Sequence, residues 1–302
     1  MTHEEKNSIR EQALGKLKLT NTSQATAARQ IPMSDATLSN ILGGKWENIS
    51  DEMWRKLGRW CGFTSREWAI KNSRNLDLIV KLCSDAQLNS RFLAVAGFTG
   101  GGKTTALKHY ANTTPGVFYV LCTVTMSRKD FLTAIQRSLG LDNEGSIHAR
   151  TASIVRAFSA MNRPLLLLDD AGKLNDQCMR LIQVIYDELE FSTGIVLGGT
   201  EKLKTHIDRS AALDRPGFRE LRRRIGYWQK LYPISRQFIS AVCADFGITD
   251  AKAVELVARM ATDFGTLREL MTNWSRAESE ADQVTVLSSL TVGNQHYNDS
   301  KA

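Results

Sequence analysis

The chain has 302 residues, 42% of them hydrophobic, and a formal net charge of +7. That length carries about two domains, and the composition excludes a disorder-dominated chain. Five cysteines, Cys61, Cys83, Cys122, Cys178 and Cys243, are odd in number and never paired at metal-ligand spacing, which speaks for reduced thiols over disulfides or a structural metal site. The first residues lack an apolar signal core, and no run of about 18 apolar residues occurs. The expectation is a soluble, cytoplasmic protein without a membrane partner.

Residues 2 to 63 read as short helices with polar breaks. Within them Gln24, Ala28, Leu38 and Ile41 occupy the positions of a first helix, a close-packed small residue and two apolar anchors of a second helix. The segment resembles the helix-turn-helix of phage repressors. Ser34 suits the N-cap of a recognition helix running to about Leu42, and Gly43-Gly44 would stop it. The resemblance implies that Asp35, Ala36, Thr37, Ser39 and Asn40 include the side chains facing a major groove. Lys45 and Trp46 could touch backbone phosphates, although Trp46 equally suits a core. The other reading of this segment is a small helical protein-docking bundle.

Residues 66–91 form a connecting segment with a helix predicted over Leu76 to Leu88, leading into a short apolar strand, Phe92 to Ala96. Next comes Gly97-Phe98-Thr99-Gly100-Gly101-Gly102-Lys103-Thr104-Thr105 and a helix-like run, Ala106 to Ala111. Glycine, lysine and threonine at this spacing, between a strand and a helix, make a phosphate-binding loop. The glycines, with Thr99 and Thr105 beside them, let backbone amides turn toward a polyphosphate. Lys103 can reach the β- and γ-phosphates, and the Thr104 hydroxyl can hold Mg²⁺ at a helix mouth that favours anions. The chain is expected to bind ATP or GTP.

Further strands are predicted at Val117 to Leu121, Leu165 to Leu168, Ile195 to Leu197 and Ile225 to Leu231, separated by helices near Lys129 to Leu139, Ala149 to Met161 and Asp176 to Leu189. Strands spaced by helices imply an α/β fold, a parallel sheet with helices on both faces. Beyond Ser235 the pattern is helical only: Arg236 to Phe246, Ala251 to Phe264, Thr266 to Ala277 and a further helix at Asp282 to Leu290, then a polar tail. The predicted domains are 1–65 (helix-turn-helix), 66–91 (connecting helix), 92–232 (nucleotide-binding), 233–292 (helical lid) and 293–302 (tail).

The third strand ends in Asp169-Asp170. Asp169 is placed to coordinate Mg²⁺, and Asp170 to polarise an attacking water. With Gly198-Gly199-Thr200 at the end of the next strand, arginines at 222 to 224 and Gly265-Thr266-Leu267-Arg268 in the lid, the chain resembles AAA+ ATPases. More narrowly, a helix-turn-helix joined to such an ATPase is similar to phage Mu transposition protein B and related transposon target-selecting ATPases.

That resemblance implies sensor-1 at Thr200, an arginine finger at Arg224, with Arg222 and Arg223 as rivals, and sensor-2 at Arg268. Asp170 stands where these ATPases usually carry the longer Glu, and Thr200 where Asn is common, so slow hydrolysis is expected. A finger given in trans implies an ATP-dependent homo-oligomer, a helical filament or ring. Between Lys202 and Lys230 nine basic residues face three acidic ones, which points to phosphate-rich partners. Duplex DNA would be tracked by Thr125, Ser127, Arg128, Lys129 and Lys173. The expected function is target-DNA binding and delivery to a cognate transposase. A replication initiator or helicase loader, or an ATP-switched transcriptional regulator, are the alternatives.

Overall fold

A computed structural model describes residues 3–46, 49–63 and 70–276. The helix expected at Asp282 to Leu290 and the tail from Gly293 lie outside the described residues, as does part of the connecting segment.

Four helices come first: α1 (His3–Thr20), α2 (Gln24–Gln30), α3 (Asp35–Leu42) and α4 (Asp51–Cys61). They close around their own core, in which Ile9, Ala28, Leu38, Ile41, Trp54 and Leu57 are buried. The predicted second-helix cap is present, for the Ser34 hydroxyl accepts the Thr37 N–H. Trp46 belongs to this core: it packs edge-on against Trp54 at 5.3 Å, and its Nε1 donates to Ile41 O at 3.2 Å.

After α5 (Arg74–Leu88) the chain builds five parallel strands, β1 (Phe92–Ala96), β2 (Val117–Leu121), β3 (Leu165–Asp169), β4 (Gly194–Gly199) and β5 (Tyr227–Lys230), in the order β2-β3-β4-β1-β5. Between them run α6 (Lys103–Thr113), α7 (Arg128–Leu139), α8 (Ile147–Ser159), α9 (Asp176–Leu189), α10 (Glu201–Ala212) and α11 (Phe218–Arg224). β1, β3 and β4 are buried along their whole length, as an unbroken apolar run is when helices cover both faces. α5 and α6 pack on one face with Leu93, Val95 and Leu167, while α7 to α11 pack on the other with Phe92, Leu166 and Leu197. The expected α/β P-loop architecture is what forms.

Three sequence-predicted boundaries move. β4 extends through Gly198 and Gly199, which pair with Val95 and Ala96; glycine is poor strand material, but Leu107 and Leu203 leave no room there for a Cβ. β5 is confined to Tyr227–Lys230, paired on one side with β1, because Ile225 and Leu231 turn into the two cores. Three helices follow, α12 (Arg236–Asp245), α13 (Ala251–Met260) and α14 (Phe264–Arg276), so the helix expected to run from Ala251 to Phe264 stops at Met260 and the next begins at Phe264, two residues earlier than expected. The cause is Asp263, whose carboxylate accepts the Thr266 N–H and starts a new helix. These three helices close around Ile239, Cys243, Val257, Leu267 and Met271.

Among the described residues no helix is long and apolar enough to cross a membrane. All five cysteines are free and buried. Burial pushes the Cys61 thiol up to about 11 and raises those of Cys83, Cys122, Cys178 and Cys243 as well. Since the thiolate is the reactive form, the native protein should leave Ellman's reagent almost unconsumed at neutral pH and titrate all five thiols in guanidinium. A thiol reacting at the rate of a free cysteine in the native state would contradict this packing.

Candidate nucleotide site

β1 lies inside the sheet, between β4 and β5, so the loop that leaves Ala96 emerges amid the carboxyl ends of the strands. The Gly97 N–H donates to Gly199 O at 3.2 Å and anchors the loop's start. Gly100 and Gly102 stand at φ 80° and 85°, where a side chain is strained. A Cβ on Gly97 would meet Leu231 at 2.9 Å. At Gly102 α6 begins with no side-chain cap, whereas Ser or Asn oxygens cap α5, α7, α8 and α9. The first N–H groups of α6 are thus left for a ligand, and an anion is the ligand they suit.

Lys103 is buried at the start of α6, and its ammonium donates to Gly97 O at 2.9 Å and Phe98 O at 2.8 Å. Burial lowers its pKa, while Asp169, Asp170 and Glu201 act in the opposite direction. Thr104 is half-buried beside it; Thr99 and Thr105 are exposed. The open glycine loop, the uncapped helix and the buried ammonium fit a polyphosphate.

The two aspartates are held differently. Asp169 is fully buried; its Oδ2 accepts from the Tyr119 hydroxyl at 2.7 Å and its Oδ1 from the Asp170 N–H at 3.0 Å. Asp170 sits in left-handed backbone, φ 54°, and its carboxylate accepts from Lys173 Nζ at 2.7 Å. That bond raises the Lys173 pKa. Thr200 ends β4, the strand between β1 and β3, so it falls between the phosphate loop and Asp169. Its hydroxyl makes no capping bond to α10. Thr104 and Asp169 offer the hard oxygen donors that Mg²⁺ prefers.

The arginines separate. Arg224, the residue expected to reach a neighbouring subunit, is bound within its own chain: it pairs with Asp187 at 2.8 Å and Glu190 at 2.6 Å. Its side chain is only 23% exposed, so the guanidinium fastens α11 to α9. Arg222 pairs with Asp208 at 2.9 Å. Arg223 is exposed and, among the described residues, has no ion-pair or hydrogen-bond partner. Arg268 is exposed one turn into α14.

Four features of this site escaped the sequence reading. The Phe264 N–H at the start of α14 donates to Gly100 O at 3.0 Å, and the Asp263 carboxylate fills the space a Cβ on Gly100 would need. Beside Gly102 and Thr105 lies a small recess of about 50 Å³ lined by Ile70, Lys71, Ser73, Leu76, Phe238 and Phe264. Asn75, buried at the start of α5, donates to Gly101 O at 3.2 Å and Tyr232 O at 2.8 Å. Glu201, next to Thr200, places a third carboxylate near Lys103. Only Glu201 had a local signal, an acid directly after the strand-end threonine.

The expected DNA contacts fall into two groups that the fold does not merge. On α3, Asp35, Ala36, Ser39 and Asn40 are exposed, as is Lys45 after it, and Thr37 is half-buried with its hydroxyl on Ser34. Thr125, Arg128 and Lys129 are exposed beside the carboxyl end of β2, where Ser127 is engaged in a capping box with Asp130. The α2 helix docks at the far end of α7 instead, through Arg29 to Gly140 O at 3.2 Å and Gln30 to Ser138 O at 2.6 Å. Twelve residues of α7 put about 17 Å between these ends.

An anionic Asp263 against the phosphate loop opposes an arriving polyphosphate. Asp263→Asn removes that charge and keeps an acceptor for the Thr266 N–H, so it should tighten binding of a fluorescent ATP analogue about three- to tenfold at low salt. Unchanged or weaker binding would contradict the opposition.

Comparison with known proteins agrees with this geometry. The AAA domain family model matches residues 87–207, the stretch from the end of α5 into α10. The ORC1 protein of Aeropyrum pernix, solved in complex with DNA, is similar in structure at a TM-score of 0.54 and 14% identity, over 78% of this chain and 69% of that one. The replication initiator DnaA, bound to AMPPCP and single-stranded DNA, is similar at 0.50 and 15%, over 73% and 66%. At such identities the likeness concerns the fold. A search of curated protein sequences finds no match. The chain therefore carries an AAA-type P-loop domain in an AAA+-like fold, with helical regions before and after the sheet.

Proposed function

We propose that this chain is an ATP-dependent, largely sequence-nonspecific DNA-binding ATPase that oligomerises on target DNA, delivers it to a transposase and activates that enzyme. The observation that carries the reading is one site in which the buried Lys103, the uncapped α6 and Asp169 converge, joined to a helical region whose α3 face is open. Backbone amides of residues 100–104 and the Lys103 ammonium hold the phosphates. Thr104 and Asp169 would hold Mg²⁺, which would supply positive charge to the phosphate oxygens. Asp170 orients the water, Thr200 assists it, and Arg268 reaches the phosphates from the lid. Because Arg224 is spent on Asp187 and Glu190, we assign the finger offered to a neighbouring subunit to Arg223.

The DNA bound in the ORC1 and DnaA structures favours a second reading, a replication initiator or helicase loader, which would use the same nucleotide residues. An ATP-switched repressor would instead need a defined operator. Electron microscopy with duplex DNA and a slowly hydrolysed ATP analogue separates these classes. The wild type should form filaments or rings on DNA of any sequence, while Lys103→Ala and Arg223→Ala stay unassembled. Monomers under every condition would sink the assembly reading. Stimulation of strand transfer, absent with Lys103→Ala, separates transposition from initiation.

Asp170 cannot serve a water while Lys173 holds it. This pair lies at the surface, where such bridges hold by about 1 kcal/mol or less, so a DNA phosphate can draw Lys173 away. Lys173→Ala should raise DNA-free turnover about two- to fivefold, leave nucleotide affinity unchanged and blunt stimulation by DNA. Equal or lower basal turnover with stimulation intact would contradict this restraint.

A further inference from the structure

Apart from the phosphate loop, a cleft of about 450 Å³ lies between the N-terminal helices and the β2 edge of the sheet. That volume is in the range of small-molecule sites. Its wall is chemically one-sided. Lys16, Lys56 and Lys108 line it, with the aromatic rings of Trp60, Phe118 and Tyr119, and no Asp or Glu does so.

Lys56 has a carboxylate partner, Glu52, at 2.9 Å. Among the described residues the other two lysines have no carboxylate partner. Lys16 Nζ donates to Trp60 O at 2.6 Å and to the Asn112 side-chain oxygen, and it lies 4.6 Å from the Trp60 ring centre. Lys108 Nζ lies 5.6 Å from the Tyr119 ring centre. An ammonium placed, like that of Lys16, among carbonyls and a ring face with little access to water and no carboxylate beside it is destabilised. Burial accordingly lowers the Lys16 pKa to about 8. A bound anion would supply the missing charge, and the Trp60 and Tyr119 rings beside the two ammoniums suit a ligand with a flat ring.

We propose that this cleft binds a small aromatic anion of nucleoside monophosphate size, at a site separate from the phosphate loop. The site backs onto the nucleotide machinery. Lys108 is on α6, the helix that begins with Lys103, and Tyr119 donates its hydroxyl to Asp169 at 2.7 Å. The cleft is also a seam, walled on one side by Lys16, Lys56 and Trp60 of α1 and α4 and on the other by α6 and β2. A ligand there would bridge the N-terminal helices to the ATPase core.

The test uses the full chain carrying Lys103→Ala, which cripples the phosphate loop, and the fluorescent probe trinitrophenyl-AMP. The probe should bind saturably with one site per chain and be displaced by AMP but not by adenosine or inorganic phosphate. Adding Lys108→Met, or the charge reversal Lys108→Glu, should weaken it about tenfold or more, with thermal melting reporting that the fold is kept. Photolysis of bound azido-AMP should label peptides containing Trp60 or Tyr119. No saturable binding, labelling confined to residues 97–105, or affinity unchanged by Lys108→Glu would overturn the proposal.

Discussion

Everything near the carboxyl edge of the sheet answers to one buried ammonium. Lys103 is held away from water by Gly97 and Phe98 carbonyls, and carbonyl dipoles compensate a full charge only in part. Three carboxylates, those of Asp169, Asp170 and Glu201, supply the rest. They come from the ends of two strands, Asp169 and Asp170 from β3 and Glu201 just after β4, so the charge of the site is balanced only when these strands are in register. The strand order matters for the same reason: with β4 between β1 and β3, Thr200 stands between the loop that would bind phosphates and the acid that would bind metal.

The same ammonium explains why the loop is gripped from outside the sheet. The start of α6 has no side-chain cap, and the loop before it takes polar partners from other parts of the chain. The lid offers Phe264 to Gly100, and the start of α5 offers Asn75 to Gly101. Lys71, just before α5, reaches into the lid to Ala241 O at 3.0 Å and to the Asp245 carboxylate. Lid, connecting helix and phosphate loop thus share a set of polar contacts, and a polyphosphate arriving at Gly100 must displace the Asp263 side of it. Affinity in such a site reflects ligand contacts minus the cost of freeing the lid.

What could be read in the sequence was local. Strand β3, the glycine loop, the Ser34 cap and the α9 span each follow from neighbouring residues, because burial pattern, turn chemistry and capping act over a few positions. The parts that resisted depend on distant partners. Nothing around Arg222 to Arg224 tells which guanidinium is free; that depends on Asp187, Glu190 and Asp208 in other helices. Strand length at Gly198 and Gly199 is a consequence of Leu107 and Leu203 pressing on it, although glycine alone argues for an end. Asp263 reads as one polar residue within a helix until its carboxylate is seen to cap the next one.

The outer loop between β2 and α7 is the point at which a surface event can reach the acids. Cys122 N–H donates to Asp169 O at 2.8 Å, and Asn175, the cap of α9, donates from its side chain to Met126 O at 3.1 Å. The 3₁₀ turn Ala171–Lys173 lies between those two ties, so the stretch that holds Asp170 is pinned at both ends to the loop carrying Thr125, Arg128 and Lys129. If the proposed DNA contact is made there, a polyanion on the basic side of that loop would pull on Lys173 at the same time. Rigid contacts pass such a displacement onward because a packed sheet edge has few intermediate arrangements. The Tyr119 hydroxyl holds Asp169, so under the proposed mechanism such a motion would reach Asp170 and leave Asp169 in place. The division of labour between two adjacent aspartates then follows from their bonds: one is fixed by buried neutral donors, and the other is restrained by a surface cation that phosphate can claim.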